Sequence, residues 1–375
     1  MPPVWGFVNP VRIEFGAGVL ARVADHVGGR RWALVTYDMD VFRSAAATIA
    51  EQAGLPVVTI DNIVTNPDLA DLEESCAAYS RAHPKPEVIV ALGGGSMIDA
   101  AKVLAASGGS FETVKRHLVE GAPLDTSKVP PIIAVPSTAG TGSEVTSWAT
   151  VWDAANGQKY SLADAALYPR VAVVDPELTL AAPRGLTLAT GLDALSHALE
   201  SLWNVSANPV SAVFAVEAAK EIIEVLPRLL DDLSSVELRT RQARAALFAG
   251  LAFSNTKTAL AHSISYPLTL HYDVVHGIAC SFTLPMVLRS VSEVRGLTRE
   301  GLAAIFGPDL SRAGDRLERF LDDLGVSTDF RSYGVAPDAW SRLILDAFDG
   351  ERGRNFIGTK RALMQAAGLT ALDAV

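Results

Sequence analysis

Three of the seven histidines in this 375-residue chain fall in one stretch, Gly250 to Leu288, at His262, His271 and His276. A fourth, His197, follows Asp193 by four residues in TGLDALSHALES. Positions four apart on a helix share a face, so Asp193 and His197 can offer an oxygen and a nitrogen to one ion. A bare Asp/His pair is more often a surface or capping contact. Here Leu192, Ala194, Leu195, Ala198 and Leu199 surround it, and an unpaired carboxylate in such a buried helix is costly. We read the two stretches as halves of one metal site. Pro267 is expected to break or bend the helix after Tyr266 and return the chain so that His276 approaches His262. A further helix starts at His276-Gly277 and runs towards Leu288, with a bend or stop at Pro285.

A second chemistry lies upstream. In GGGSMIDAAK, Gly93 to Lys102, three glycines let backbone N–H groups approach a ligand closely. Ser96 is expected to cap the helix Met97 to Ala106, whose positive end points at the same place. This suits a pyrophosphate, although the run is not GxGxxG and alone reads equally well as a tight turn. Asp99 then serves as a dipole partner or contacts the nicotinamide side of a cofactor. VPSTAGTGSEVT, Val135 to Thr146, presents Ser137, Thr138, Thr141, Ser143 and Thr146. Such hydroxyls and amides can wrap a diphosphate or ribose, or simply form a polar loop.

These residues need a scaffold. Apolar runs at Val11 to Phe15, Arg31 to Tyr37, Leu55 to Ile60, Glu87 to Leu92, Pro131 to Val135 and Val171 to Val174 read as strands. Helical patterns at Val19 to Val27, Val41 to Ala53 and Asp68 to His83 alternate with them, predicting an α/β layer on a mainly parallel sheet. Both glycine- and hydroxyl-rich turns then lie at the C-terminal edge of that sheet, where such sheets bind ligands. From Pro183 onward the pattern is helical throughout, with Val210 to Leu226, Glu237 to Phe253, Arg312 to Leu324 and Pro337 to Phe348 as further helices and Pro227 marking a connection. The expected organisation is an α/β domain over 1–182 and an all-α domain over 183–375.

Composition agrees with an ordinary globular enzyme: 49% hydrophobic and 20% charged residues. A net charge of −10 without a basic run argues against nucleic acid as a partner. No signal peptide or run of roughly 20 apolar residues is apparent, so neither export nor a membrane is expected and the cytoplasm is the expected location. The two cysteines, Cys76 and Cys280, stand far apart in helical, buried-looking segments and read as core fillers rather than a disulfide.

GGGSMIDAAK, PSTAGTGSEV, DPELT (Asp175 to Thr179) and GLDALSHALES occur in the order and at roughly the spacings of the iron-containing, or group III, alcohol dehydrogenases, which the chain resembles from about Phe15 into its last quarter. The resemblance implies an N-terminal dinucleotide-binding domain, a C-terminal helical domain, and a cleft holding the cofactor and a divalent metal. It implies Asp193, His197, His262 and His276 as metal ligands. It places Gly94, Gly95, Ser96 and Asp99 at the pyrophosphate and nicotinamide, Ser137, Thr138 and Thr141 along the cofactor, and Lys159 at an adenosine ribose or phosphate. Fe(II) is the expected ion and Zn(II) the alternative. The metal would act as a Lewis acid towards a carbonyl or alcohol oxygen while hydride passes to or from the nicotinamide. Family members commonly form homo-oligomers, dimers especially.

Two departures and a group of cations bear on function. Many NAD-preferring relatives carry an Asp directly after the first long strand; here Tyr37 stands there, with Asp38 next, which leaves NADH and NADPH both open. Many relatives carry a further histidine four residues after the third ligand; here it is Tyr266, a substrate contact or proton relay, with His271 as the alternative relay. Cations are placed near the metal motif at Lys257 and in the loop GERGRNFIGTKR at Arg352 and Arg354. Guanidinium and ammonium groups suit a phosphonate, phosphate or carboxylate, or form a solvated basic loop. HSISYPLTLHYDVVHG, ATVWD and QKYSL are similar to the branch that interconverts phosphonoacetaldehyde and 2-hydroxyethylphosphonate. That reduction is the expected activity. A general primary-alcohol or lactaldehyde-type dehydrogenase is the alternative, and a dehydroquinate synthase-like cyclase or a non-enzymatic binding protein stands further off.

Overall fold

The protein is described by a computed structural model over residues 4–369. Two compact units are present, one built from Asn9–Pro183 with Ser234–Ala243, the other from residues 4–8, Arg184–Leu233 and the chain from Arg244 onward.

In the first unit the strands are β1 (Arg12–Phe15), β2 (Trp32–Val35), β3 (Val58–Ile60), β4 (Val88–Gly93), β5 (Ile132–Pro136), β6 (Trp148–Asp153), β7 (Gln158–Ala163) and β8 (Val171–Val174). Six form one all-parallel sheet in the order β1-β8-β5-β4-β2-β3. Its helices are α1 (Val23–Val27), α2 (Asp40–Ala53), α3 (Leu69–Arg81), α4 (Gly95–Ala106) and α5 (Phe111–Glu120). The unbroken apolar runs of β2 and β4 follow from burial of both sheet faces. Ala33, Val35, Ile89 and Ala91 face a core shared with Leu72 of α3 and Ile98 of α4. Trp32, Leu34, Val88, Val90 and Leu92 alternate with them and face Val23, Val27, Ala45 and Ile49 of α1 and α2. From β2 the chain crosses outward to β3 and then back to β4, so the sheet switches direction between β2 and β4. Tyr37, after β2, and Gly93–Gly94, at the end of β4, meet at that point, where ligand crevices form in open parallel sheets.

Strands β6 and β7 form a separate antiparallel hairpin, pairing Trp152 with Lys159. One tie to the rest is Lys102 of α4, a fully buried lysine. Its Nζ donates to Ser143 O (2.8 Å), Ser143 Oγ (2.8 Å) and Trp148 O (2.7 Å). Asp99, one turn earlier, accepts from Ser143 Oγ (2.5 Å) and Thr150 N (2.8 Å). A buried cation is tolerated only with such partners, and this pair locks the hydroxyl-rich loop and the hairpin onto the helix behind the glycines.

The second unit holds α6 (Arg184–Leu202), α7 (Pro209–Asp231), α8 (Val236–Thr256, whose first residues belong to the other unit), α9 (Leu260–Tyr272), α10 (His276–Ser281), α11 (Leu284–Ser290), α12 (Leu297–Phe306), α13 (Ala313–Asp323), α14 (Pro337–Asp349) and α15 (Lys360–Ala366). Every residue from Gly191 to Leu202 of α6 is buried. A helix enclosed on all sides is a central helix, and α7, α9, α10 and α12 pack around it.

Three local expectations are corrected. Pro267 lies inside α9, which runs unbroken to Tyr272, and Pro227 lies inside α7. An interior proline costs about 3 kcal/mol, and the packing of α9 against α6, α10 and α14 outweighs it. The reversal towards His276 is made instead at Asp273, whose φ of 53° ends the helix in the left-handed region. Ser96 does not cap α4: Gly94 is the N-cap and no side chain caps the helix.

Candidate metal centre

Asp193 and His197 lie on successive turns of α6, His262 on the first turn of α9, and His276 at the first position of α10. Four-residue spacing puts the first two on one face, and α9 and α10 bring the other two against it. His262 Nε2 stands 3.4 Å from Asp193 Oδ1, and His197 Nε2 stands 3.8 Å from the same oxygen. The His197 ring stacks between Phe253 (centroids 4.0 Å) and His262 (4.6 Å). His262 and His276 meet edge to face at 5.7 Å. The tightest donor cluster among the described residues is Asp193, His262, His276 and Cys280, whose ligand atoms all lie within 4.8 Å of one another. His197 is beside this cluster rather than in it.

This centre fits a divalent cation on its own chemistry. Asp193 Oδ1, His262 Nε2 and His197 Nδ1 are buried without a hydrogen-bond partner. Native proteins rarely leave such atoms unsatisfied unless a ligand or ion completes them. Burial brings His197 down to about 4, so its imidazole is neutral at pH 7. Burial would raise the Asp193 carboxyl, but His197, His262 and His276 outweigh it and hold the group ionised below its ordinary range. Against burial, Cys280 and Glu200 raise His262 and Cys280 and Asp193 raise His276, so these two imidazoles would release a proton on binding an ion. A carboxylate with imidazole nitrogens is a suitable donor set for first-row divalent ions.

The orientation of His262 comes from Glu200, fully buried two turns after Asp193. One Glu200 oxygen lies 2.6 Å from His262 Nδ1 and accepts from Ala259 N at 2.9 Å; the other accepts from Ala261 N at 2.5 Å. With Nδ1–H donating to the carboxylate, Nε2 is left facing Asp193, where a bound ion would take its lone pair. Gly277 sets the position of His276. A Cβ there would stand 1.9 Å from the carbonyl oxygen of Ala189 on α6. Gly277→Ala must therefore push α10 off α6. The expected cost is about 1–3 kcal/mol or more, read as a lowered Tm with weakened metal retention.

The first unit presents the second candidate surface. Gly94, the uncapped N-cap of α4, leaves first-turn N–H groups without a side-chain acceptor, which suits an anion. A Cβ on Gly95 would meet Thr141 Oγ1 at 2.5 Å, and one on Gly94 would meet Thr138 Oγ1 at 3.5 Å and the Tyr37 hydroxyl at 4.0 Å. Glycine at 95 thus lets the hydroxyl-rich loop close over the helix start. Ser137 is buried, while Ser96, Thr138 and Thr141 are partly exposed. Tyr37 packs on Phe42 with ring centroids 5.3 Å apart and planes tilted by 45°; burial raises its pKa against the hydrogen bonds of Ser96 and Thr65. Asp38 is exposed and paired with Arg43. Lys159 is partly exposed on β7. Asp99 points into its own unit, held by Ser143 and Thr150; its observed role is to fix the loop.

Residues 10–176 match the iron-containing alcohol dehydrogenase family, and residues 187–367 match the C-terminal region of the same family. The chain belongs to the iron-containing alcohol dehydrogenases. It is 32% identical over 364 residues to the NAD-dependent methanol dehydrogenase of Bacillus methanolicus, covering 92% of this chain and 93% of the relative. It is 36% identical over 293 residues to the phosphonoacetaldehyde reductase of Streptomyces viridochromogenes, covering 72% of each. The crystal structure of sulfoacetaldehyde reductase from Bifidobacterium kashiwanohense in complex with NAD+ superposes with a TM-score of 0.89 at 28% identity, covering 98% of this chain and 99% of that one. As a member of this family the protein is an oxidoreductase acting on small alcohols or aldehydes, with a nicotinamide cofactor and a divalent metal.

Within this alcohol dehydrogenase the remaining expected residues are placed unequally. Tyr266, one turn after His262 on α9, stacks parallel to His276 at 6.1 Å. Arg352 lies with Cζ 5.0 Å from the Tyr266 ring centroid, its Nε donating to Thr258 Oγ1 at 3.0 Å. Arg354 is exposed, and so is Lys257, whose φ of 65° makes the turn between α8 and α9. His271 is exposed on the last turn of α9. Nine residues at 100° each carry it to the side opposite His262, so it does not join the cluster. Glu200 and Cys280 were not expected in the site. Both carried a signal: Glu200 is a charge in the apolar run one turn after His197, and Cys280 is four residues from His276 on one helix. Cys280 is a core filler only in being buried; its Sγ lies 3.6 Å from His276 Nε2.

Proposed function

We propose that this enzyme reduces phosphonoacetaldehyde to 2-hydroxyethylphosphonate, reversibly, using NADH or NADPH and a divalent ion held by Asp193, His197, His262 and His276. The observation that carries the anionic part is the run His276–Tyr266–Arg352. A guanidinium is held over a tyrosine ring that is itself stacked on a metal-ligand candidate. Among the described residues Thr258 takes Nε of Arg352 and no hydrogen bond takes its two Nη groups, which leaves them for bidentate contact with a tetrahedral anion. Support also comes from two relatives, named for phosphonoacetaldehyde and sulfoacetaldehyde. Both names describe short aldehydes bearing an anionic tetrahedral group.

In this reading the bound ion supplies Lewis-acid polarisation of the carbonyl. Arg352 fixes the charged end of the substrate, and Tyr266 fills the space between that end and His276. The glycines at 94 and 95 and the α4 N-terminus hold the diphosphate of the cofactor. Ser137, Thr138 and Thr141 line it, with Lys159 and the Tyr37–Asp38 turn at the adenosine end. The proton taken by the product alkoxide is relayed through the Tyr266 hydroxyl and water.

Arg352→Met is expected to raise KM for phosphonoacetaldehyde about 10–100-fold, the equivalent of one lost charge-assisted interaction. Rates on butyraldehyde should change little. Steady-state assays of both substrates with each nicotinamide check this. Equal wild-type kcat/KM for phosphonoacetaldehyde and butyraldehyde would instead favour a general primary-alcohol dehydrogenase, the activity suggested by the methanol dehydrogenase relative.

A further inference from the structure

We infer that Cys280 is a metal donor in this enzyme, adding a thiolate sulfur to the oxygen and nitrogens of the centre. The inference rests on the metal-centre reading above and concerns a residue outside the four expected ligands.

Positions 276 and 280 lie on one face of α10, and Cys280 is fully buried. Its Sγ stands 3.6 Å from Nε2 and 3.8 Å from Nδ1 of His276. These contacts can be read as a thiol–imidazole hydrogen bond. The cluster supplies an alternative. At ordinary Zn–N, Zn–O and Zn–S bond lengths, two ligands of one tetrahedral ion stand roughly 3.3–3.6 Å apart. His262 Nε2 to Asp193 Oδ1 is 3.4 Å and His276 Nε2 to Cys280 Sγ is 3.6 Å. Both pairs have the spacing of ligands sharing an ion. The atoms of the first pair, Asp193 Oδ1 and His262 Nε2, on residues 4% and 2% exposed, also have no hydrogen-bond partner. On binding, the Cys280 thiol gives its proton to solvent and donates as thiolate. A soft donor in the set favours ions that accept sulfur, Zn(II) and Co(II) among them.

The test uses Co(II) alone, added to the full chain stripped of metal by chelator. The wild type is expected to show both the visible ligand-field bands of a bound cobalt ion and a near-ultraviolet thiolate-to-cobalt band. Cys280→Ser should bind one cobalt per chain and keep the visible bands while losing the near-ultraviolet one. Cys76→Ser, altering the only other cysteine, should keep both. Should Cys280→Ser not fold, the wild-type and Cys76→Ser spectra alone carry the attribution. One bound cobalt in the wild type, with ligand-field bands and no thiolate band, would overturn the inference and leave the metal centre standing. A wild type that binds no cobalt would overturn the metal centre itself, and the inference with it.

Discussion

Asp193→Asn is expected to lower kcat/KM by about 10³-fold or more and to yield protein that does not retain its divalent ion. The substitution preserves size and removes the one carboxylate from the donor cluster, leaving imidazoles and a thiol. Asp193 is the point on which the others converge: His197 and His262 both direct Nε2 at its Oδ1. Lewis-acid stabilisation of a developing alkoxide contributes several kcal/mol, and each 1.36 kcal/mol is about tenfold in rate. Loss of the ion removes that contribution entirely. Metal analysis after gel filtration, alongside steady-state assays in added Zn(II) or Fe(II), distinguishes lost metal from lost chemistry. A variant with full metal content and near-normal kcat would contradict the assignment.

Glu200 carries the second large effect, and it acts on stability and metal affinity together. Its carboxylate takes hydrogen bonds from Ala259 N, Ala261 N and His262 Nδ1 with no exposed surface. Glu200→Ala strands all three donors in the interior, and breaking a buried charged network of this kind costs about 3–5 kcal/mol. Burial opposes the ionised form of Glu200, but His262 and the two amides outweigh it and hold the pKa below its ordinary value. A lowered carboxyl pKa contributes stability that is complete above the ordinary glutamate range and is lost as pH falls through the folded value. The wild type should therefore lose this contribution only in acid, whereas Glu200→Ala lacks it at neutral pH. Glu200→Gln keeps the shape and presents an amide to His262 Nδ1. It should fold, yet bind metal about 10–100-fold more weakly, as is usual when the outer partner of a ligating histidine is lost. Denaturant unfolding of the metal-free proteins and competition titration with a chelator separate the two effects. Equal affinity in Glu200→Gln and the wild type would make Glu200 a purely structural residue.

Much of this was legible in the chain because burial leaves strong patterns. Strands β2 and β4 are apolar on both faces and read as uninterrupted runs, and the glycines after β4 stand where the sheet switches direction. The pairing of Asp193 with His197 was readable from helical spacing. What escaped was set by packing rather than by local preference. Pro267 and Pro227 signal helix ends, but tertiary contacts carry α9 and α7 through them. The α8–α9 turn is made at Lys257, which no turn residue marks. The hairpin β6–β7 was seen only as the motifs ATVWD and QKYSL, because its anchors are a lysine and an aspartate about 50 residues earlier in the chain. Arg352 and Arg354 are equivalent in an irregular glycine-rich loop. Docking through Thr258 brings one onto Tyr266 and leaves the other in solvent. Glu200 and Cys280 sat in plain view at helical spacing from His197 and His276, but a carboxylate at a helix end and a cysteine in a core both have ordinary explanations.

The most direct test is a calorimetric titration of chelator-stripped wild type and Asp193→Asn with Zn(II). Tight binding of one ion per chain in the wild type, absent or weakened by orders of magnitude in the variant, is the predicted result. Binding of equal stoichiometry and affinity in both proteins, or none in the wild type, would contradict it.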